Sequence, residues 1–193
     1  AALDAPPDAV SVIGDGARRL VLGYGGTVHI VRTVDGRPAV IGRGTLGVQA
    51  ADVRYAAALD GVVLVPRRGA VDVVELADDG AIRIPASIPV PAVSGQRTLL
   101  ATGPGRAAVV TTTLGSAVPR SGLSVVDLSD ARAPAVRAAG HFDDEIVGAV
   151  VVGETVAVVF GPSRQLVSYG VGADGALRTI GRVALGGDGA ATS

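Results

Sequence analysis

One pattern constrains this chain more than any other: an apolar strand that stops at an acidic residue and enters a short turn, met four times. "TVHIVRTVDG" begins at Thr27, "AVDVVELADDG" at Ala70, "GLSVVDLSD" at Gly122 and "QLVSYGVGADG" at Gln165. With Val28, Val71, Leu123 and Leu166 taken as equivalent, the spacings are 43, 52 and 43 residues. Self-similarity at a period of this size marks a repeat architecture. The second and fourth copies agree most closely, with Asp79-Gly80-Ala81-Ile82-Arg83 lying over Asp174-Gly175-Ala176-Leu177-Arg178. Asp-Gly between two apolar runs predicts a type I′ hairpin, because glycine tolerates positive φ and the twist of that turn matches the strands.

Upstream of each copy lies a second hairpin, with turns at Asp15-Gly16, Asp60-Gly61, Gly103-Pro104-Gly105 and Gly153-Glu154. Each unit therefore holds four short strands. In the second unit these read as Asp52 to Leu59, Val62 to Val65, Val71 to Leu76 and Ile82 to Ile88; in the fourth, as Ile146 to Val152, Val156 to Phe160, Leu166 to Val171 and Leu177 to Leu185. No window sustains a 3.6-residue period, and Gly or Pro interrupts about every ten residues, so the chain reads as all-β. Four-stranded units at this spacing predict the blades of a β-propeller. Runs such as "GAVVV", "TVAVVF" and "DGVVLV" are apolar on both faces, as a sheet sandwiched between two others requires. A β-sandwich is the alternative, and the equal spacing counts against it. The expected blades span about 9–46, 50–91, 96–142 and 146–186, after an N-terminal extension at 1–8 and before a flexible tail at 187–193.

The stretch "GLSVVDLSDARAPAVRAAG", residues 122–140, resembles the LVIVD repeat of bacterial and archaeal β-propeller proteins. That pattern is an apolar strand ending in Val-Asp, a Ser-Asp-Pro-like turn, a Pro and a second strand closing on Gly. The resemblance covers these residues, in the third unit only. It implies a binding or scaffolding propeller, secreted or at the cell surface, and names no catalytic residue. Four blades make either a small closed ring or part of a larger one; in the second case the end blades expose apolar faces that another chain could complete.

Composition narrows the function. The chain has 193 residues, enough to bury roughly 70% of its unfolded surface. There is no Cys, which removes disulfides, thiolate catalysis and Cys-based zinc sites. The formal net charge is −1 and aromatic residues make up 3%, so neither the basic stripe nor the stacking platform of a nucleic-acid binder is present. All 17 basic residues are Arg, and Asn is absent, which removes N-glycosylation sequons. GC-rich coding accounts for this bias. No apolar run is long enough for a membrane-spanning helix, and no signal peptide is recognisable. The first residue is Ala rather than Met, which reads as processing or excision from a longer chain. Together with the resemblance this points to an extracytoplasmic or secreted protein.

Propeller topology sorts the loops. Strand 1–2 and strand 3–4 turns share one end of the blades, and here they are nearly all tight. Strand 2–3 loops and blade connectors share the other end. That end collects Tyr24 to Gly26, "PRRG" at 66–69, "TTTLGSAVPRSG" at 111–122, "GPSR" at 161–164 and the connectors "GTLGVQAAD" at 44–52, "PVPAVSGQ" at 89–96 and "GHFDDE" at 140–145. Loops on a rigid scaffold are where binding concentrates. The excess of about nine residues before the third repeat falls between Thr112 and Ser121, a length with no turn chemistry to account for it. The predicted contact surface has an apolar tip, Leu114 and Val118, next to Arg120. The connector adds His141, Phe142, Asp143, Asp144 and Glu145, and neighbouring loops add Arg67, Arg68 and Arg164.

Other chemistry is weakly supported. "HFDDE" holds potential cation ligands, but successive residues of an extended segment point apart, and a solvated acidic connector is the simpler reading. His29 stands where Asp72 stands one unit later, which makes a hydrogen bond between blades conceivable; a structural role is expected. "LGYGGTVHI" lacks G-x-G-x-x-G spacing and opens a strand where a dinucleotide site needs a helix. No G-x-S-x-G elbow, P-loop or triad spacing occurs. No cofactor or metal is expected. The expected function is a non-catalytic binding module facing a protein or cell-surface partner; a hydrolase with acidic residues at the same end is the alternative.

Overall fold

The computed structural model describes residues 11–14, 18–22, 26–46, 57–59, 62–67, 69–77, 79–90, 96–113 and 120–186. They form four four-stranded antiparallel sheets, each joined in sequence order. Sheet 1 holds β1 (Ser11–Gly14), β2 (Arg18–Leu22), β3 (Thr27–Val34) and β4 (Arg37–Thr45). Sheet 2 holds β5 (Ala57–Leu59), β6 (Val62–Arg67), β7 (Ala70–Leu76) and β8 (Ile82–Pro89). Sheet 3 holds β9 (Gln96–Gly103), β10 (Arg106–Thr113), β11 (Arg120–Asp127) and β12 (Ala135–Phe142). Sheet 4 holds β13 (Ile146–Val152), β14 (Thr155–Phe160), β15 (Gln165–Val171) and β16 (Leu177–Ala184). The expected all-β fold of four-stranded blades is what forms. The chain divides into two compact units: sheets 1 and 2 with the segment Asp127–Ala135, and sheets 3 and 4.

The first unit packs sheet on sheet. Leu20, Val28 and Ile30 of sheet 1 meet Val63, Val65 and Val74 of sheet 2, with Leu46 beside them. Antiparallel partners share a face, so Leu64 opposite Val73 and Pro66 opposite Val71 form the other face of sheet 2. Leu64, Val71 and Val73 are also fully buried, which explains why these strands are apolar at consecutive positions. In the second unit, Ala108, Val110, Leu123, Val125 and Ala138 of sheet 3 share a core with sheet 4, to which Ile146, Val151, Val156, Val158, Phe160, Val167 and Tyr169 contribute. Each Val, Leu or Ile side chain among them contributes about 1.5–3 kcal/mol when fully buried.

The turns correct one expectation. Asp79-Gly80 and Asp174-Gly175 are not two-residue type I′ turns. Leu76 pairs with Ile82 and Val171 with Leu177, closing five-residue loops in which, among the described residues, Gly80 and Gly175 alone have positive φ, 75° in both. The reason is local. Asp79 Oδ1 accepts the Ala81 N–H at 3.0 Å and Asp174 Oδ1 accepts the Ala176 N–H at 3.2 Å, while the Gly80 and Gly175 N–H groups donate back to Ala77 O and Gly172 O. The carboxylate closes its own turn, as Asp commonly does. The two-residue pattern with both φ positive occurs instead at Asp35-Gly36, between paired Val34 and Arg37.

The upstream hairpins are tight as expected where described. Pro104-Gly105 joins paired Gly103 and Arg106, with Gly105 at φ 65°. Gly153-Glu154 joins paired Val152 and Thr155, with Gly153 at φ 56°. Asp15-Gly16 and Asp60-Gly61 lie outside the described residues, although Leu59 and Val62 on either side of the second pair across the ladder. Of the strand expected from Asp52, only Ala57–Leu59 is described.

Four strand ends run further than expected. β6 continues through Pro66 and Arg67, which pair with Val71 and Ala70, so Arg67 is a strand residue rather than a loop tip. β12 continues through His141 and Phe142, which shortens the connector to 143–145. Thr112 and Thr113 belong to β10, and Arg120 and Ser121 to β11, so the long loop expected from Thr112 to Ser121 narrows to 114–119.

Candidate functional site

In the second unit, the residues expected at the long-loop end converge. Arg120 opens β11, and its Nε lies 3.4 Å from Asp143 Oδ1, with both side chains mostly exposed. Asp144 Oδ1 accepts the Glu145 N–H at 2.7 Å, which fixes the connector's bend. Glu145 Oε1 accepts Arg97 Nη2 at 2.9 Å, and the same nitrogen donates to Ile146 O at 3.2 Å. The Glu145 carbonyl accepts the Gly161 N–H at 2.9 Å, tying the connector to the β14–β15 turn. Arg164 ends that turn at φ 49°, an uncommon conformation for a non-glycine residue, with its N–H on Gly161 O and its carbonyl accepting the Leu185 N–H.

Beneath this charged layer is a buried polar clamp that sequence reasoning missed. Ser121 Oγ accepts the Ile146 N–H at 2.9 Å and lies 3.0 Å from Thr112 Oγ1. Thr112 and Ser121 are 1% and 2% exposed. Together with the Arg97–Glu145 pair, the clamp fastens the start of β13 to the ends of β10 and β11. Two hydroxyl residues in a loop-like stretch gave no signal of burial. Residues 114–119 connect the two sides of this clamp.

The remaining candidates are distributed as follows. Phe142 turns inward, with ring centroids 5.4 Å from Phe160 and 5.5 Å from Tyr169. Burial pushes the Tyr169 phenol above its usual pKa, with Arg182 opposing. His141 is exposed on the last turn of alternation in β12. Arg68, Leu114 and Val118 lie outside the described residues. Arg67 belongs to the first unit, where its Nε donates to both oxygens of Asp72 at 2.9 Å and Ser87 Oγ donates to Asp72 Oδ1 at 2.6 Å. Asp72 is 4% exposed, and the Arg67 guanidinium and the Ser87 hydroxyl supply the partners that a buried polar group needs.

The conceivable hydrogen bond between His29 and Asp72 does not form. His29 pairs across the ladder with Val21 and Arg43, on the face of sheet 1 opposite Val28 and Ile30, and so points away from sheet 2. It is 2% exposed, and neither ring nitrogen has a hydrogen-bond partner among the described residues.

The turns at the other end of the blades repeat one device. Asp79 is bonded by Ala81 N–H and the Arg83 guanidinium, and Asp174 by Ala176 N–H and Arg178 at 3.0 Å. In each case the backbone donor first and the guanidinium second hold the carboxyl below its usual pKa. The motif at 127–134 is likewise a self-capped turn. Asp127 Oδ1 accepts the Ser129 N–H, Asp130 Oδ1 accepts the Arg132 N–H, and the Arg132 guanidinium lies 3.8 Å from Glu75. Among the described residues, no group of three or more His, Asp or Glu is arranged to hold a metal ion. No described helix is long and apolar enough to cross a membrane.

No protein-family model matches the chain, and no curated protein matches it. Solved structures do. A protein from Lactobacillus plantarum superposes with a TM-score of 0.63 at 18% identity, over 94% of this chain and 57% of that one. The periplasmic gluconolactonase of Pseudomonas aeruginosa gives 0.57 at 20% identity, over 90% of this chain and 55% of that one. The N-terminal domain of Nup159 gives 0.52 at 14% identity, over 94% of this chain and 46% of that one. A complex described as S. cerevisiae Dbp5 bound to Nup159 gives 0.53 at 14% identity, over the same shares. The chain thus spans about half the length of these propeller chains. With the four-stranded sheets, this likeness makes the fold a β-propeller of about four blades.

Proposed function

We propose that this chain is a non-catalytic binding or scaffolding β-propeller module, and that the end of its blades bearing residues 114–119, the 143–145 connector and the 161–164 turn receives a protein partner. One observation carries the reading: at that end of the second unit, the exposed Arg120–Asp143 pair stands beside a buried clamp, Thr112–Ser121–Ile146, that fastens neighbouring strand ends. A charged surface on a fixed base binds at low ordering cost. Among the similar structures, Nup159 is described as bound to the protein Dbp5, which is a precedent for protein recognition by this fold. The resemblance of 122–140 to LVIVD repeats adds an extracytoplasmic or cell-surface setting to the proposal. The hydrolase alternative has the gluconolactonase as its precedent. The carboxylates of Asp143 and Glu145 face guanidinium groups rather than each other, an arrangement that favours recognition over acid–base chemistry.

The test replaces 114–119 with Gly-Gly and, separately, reverses Arg120→Glu. Quantitative capture from an envelope fraction of the source organism compares these variants with the parent and with Arg83→Ala at the other end of the blades. Proteins retained by the parent and by Arg83→Ala, and lost by both long-loop-end variants, support the reading. Equal capture by all four, or turnover of lactone and ester substrates that Asp143→Asn abolishes, overturns it.

A further inference from the structure

One buried acidic side chain of the first unit has no acidic counterpart in the other repeats. Asp72 lies opposite Val65 on β6 and opposite Ser87 on β8, so it shares the face of sheet 2 that packs on sheet 1 through Val63, Val65 and Val74. It is 4% exposed, close to where β6 turns into β7. Arg67 Nε reaches both of its carboxylate oxygens at 2.9 Å, and Ser87 Oγ donates to Oδ1 at 2.6 Å. With Val28, Val71, Leu123 and Leu166 aligned, the places of Asp72 and Arg67 are taken by His29 and Tyr24, by Ser124 and Pro119, and by Val167 and Pro162. The blade architecture therefore does not call for the pair.

Stability accounts poorly for it. Aliphatic side chains in place of a buried ion pair often leave a protein as stable or more so, because they avoid the desolvation cost. What the arrangement does supply is a fixed guanidinium: Asp72 holds Arg67 Nε, and Ser87 holds Asp72. The Arg67 side chain is 38% exposed and that of Asp72 6%, so the pair has a buried end and an open one. Among the described residues, neither Nη nitrogen of Arg67 has a hydrogen-bond partner. With Nε engaged, the two Nη groups still present a pair of parallel N–H donors, an edge that matches the two oxygens of a carboxylate. Asp72, as the other half of the ion pair, offsets the positive charge, which suits a singly charged group better than a phosphate dianion. A fork already held in place also loses less freedom on binding than an unrestrained arginine.

We propose that the outward edge of Arg67 is a binding site for a carboxylate borne by a protein partner, on an acidic side chain or at a chain terminus. Arg67 makes the contact, and Asp72 and Ser87 are positioning residues. The site lies in the first unit and stands or falls separately from the contact surface of the second.

The Arg67 Nε–H resonance of the isotopically labelled full chain tests this. Acetate, acetyl-Gly-Glu-Gly-amide and acetyl-Gly-Gly with a free terminus are titrated at constant ionic strength in place of chloride. At least one should give a saturable shift at Arg67, half complete at roughly tens of millimolar, as one charge-assisted bidentate contact supports. The stronger of the two peptides identifies the source of the carboxylate. The resonance of Arg83, held by the exposed turn carboxylate of Asp79, should not saturate. Arg67→Lys keeps the charge without the fork and should weaken acetate binding more than about fivefold. That titration is read at the amide of Ala70, the ladder partner of residue 67. Asp72→Asn separates orientation from charge. Removing a negative charge beside the site favours an anion, whereas releasing the guanidinium disfavours it, and a loss of about threefold or more is expected. Should Asp72→Asn fold poorly by circular dichroism, Ser87→Ala leaves every charge in place and should weaken binding about twofold. Acetate binding that is unchanged or tighter in the folded positioning variant overturns the proposal. So does equal binding by Arg67→Lys, tighter binding of inorganic phosphate than of acetate, or saturation by none of the carboxylates.

Discussion

At the scale of the residue, Gly80 and Gly175 occupy the same place in two repeats yet are constrained differently. Both sit at φ 75°, where a β-branched side chain is strained by about 1–3 kcal/mol. A Cβ on Gly80 would also stand 1.9 Å from Ile41 O, whereas one on Gly175 would stand 3.2 Å from Arg137 O. Gly42 faces Gly80 as closely, its own Cβ position lying 1.8 Å from Gly80 O, so neither backbone can yield to the other. Both Val substitutions should lower the urea midpoint, and Gly80→Val should do so by more. Equal losses would mean that the close approach contributes nothing. The turn glycines were legible in the sequence; the difference between them was not, because it depends on a strand about forty residues away. Asp79 and Asp174 add a pH dependence of defined sign. Their folded pKa values lie below the ordinary 3.8, so their stabilising contribution is present above that value and is lost as pH falls through the folded pKa. Asp79→Asn and Asp174→Asn should therefore be less stable than the parent near pH 7 and converge with it near pH 2, as read by denaturant midpoints. A constant gap at all pH values would show that the carboxylate charge plays no part.

At the scale of the element, the sequence was most readable where strands alternate with turn residues. β13 to β16 fall within about a residue of the ranges expected from glycine punctuation and apolar runs. It was least readable where a polar residue is buried. Thr112 and Ser121 read as loop because hydroxyls are common in loops, but their partners, one another and the Ile146 N–H, come from segments apart in sequence. The same applies to Asp72, which interrupts an apolar run and is satisfied by Arg67 from the neighbouring strand and by Ser87 from the next. These two kinds of polar residue make opposite predictions for the β10–β11 link. Ser121→Ala removes the acceptor of a buried N–H and should cost about 1–3 kcal/mol. Replacing 114–119 with Gly-Gly leaves the clamp in place and should leave the melting temperature nearly unchanged. If the shortened link destabilises as much as Ser121→Ala, the link is structural and the binding assignment for it fails.

At the scale of the whole molecule, the repeat spacing supplied the architecture, and exposure shows what the repeat alone could not. The residues of a blade are chosen for its place between neighbours, so equivalent positions carry similar side chains whatever covers them. Ile88 and Val183 illustrate this: each pairs with the first aliphatic of the third strand, Val71 or Leu166, and each is apolar, yet they are 2% and 59% exposed. Sequence pattern reports the fold's packing faces and is silent about which of them has a neighbour. The consequence is measurable as a difference in stability. Truncating a buried Ile to Ala removes transfer free energy and leaves a cavity, so Ile88→Ala should cost about 2–5 kcal/mol. Val183→Ala should stay within about 0.5 kcal/mol of the parent, because it withdraws little surface from contact. A large Val183→Ala cost would mean that the position is packed within the chain, and that the face of sheet 4 is not open.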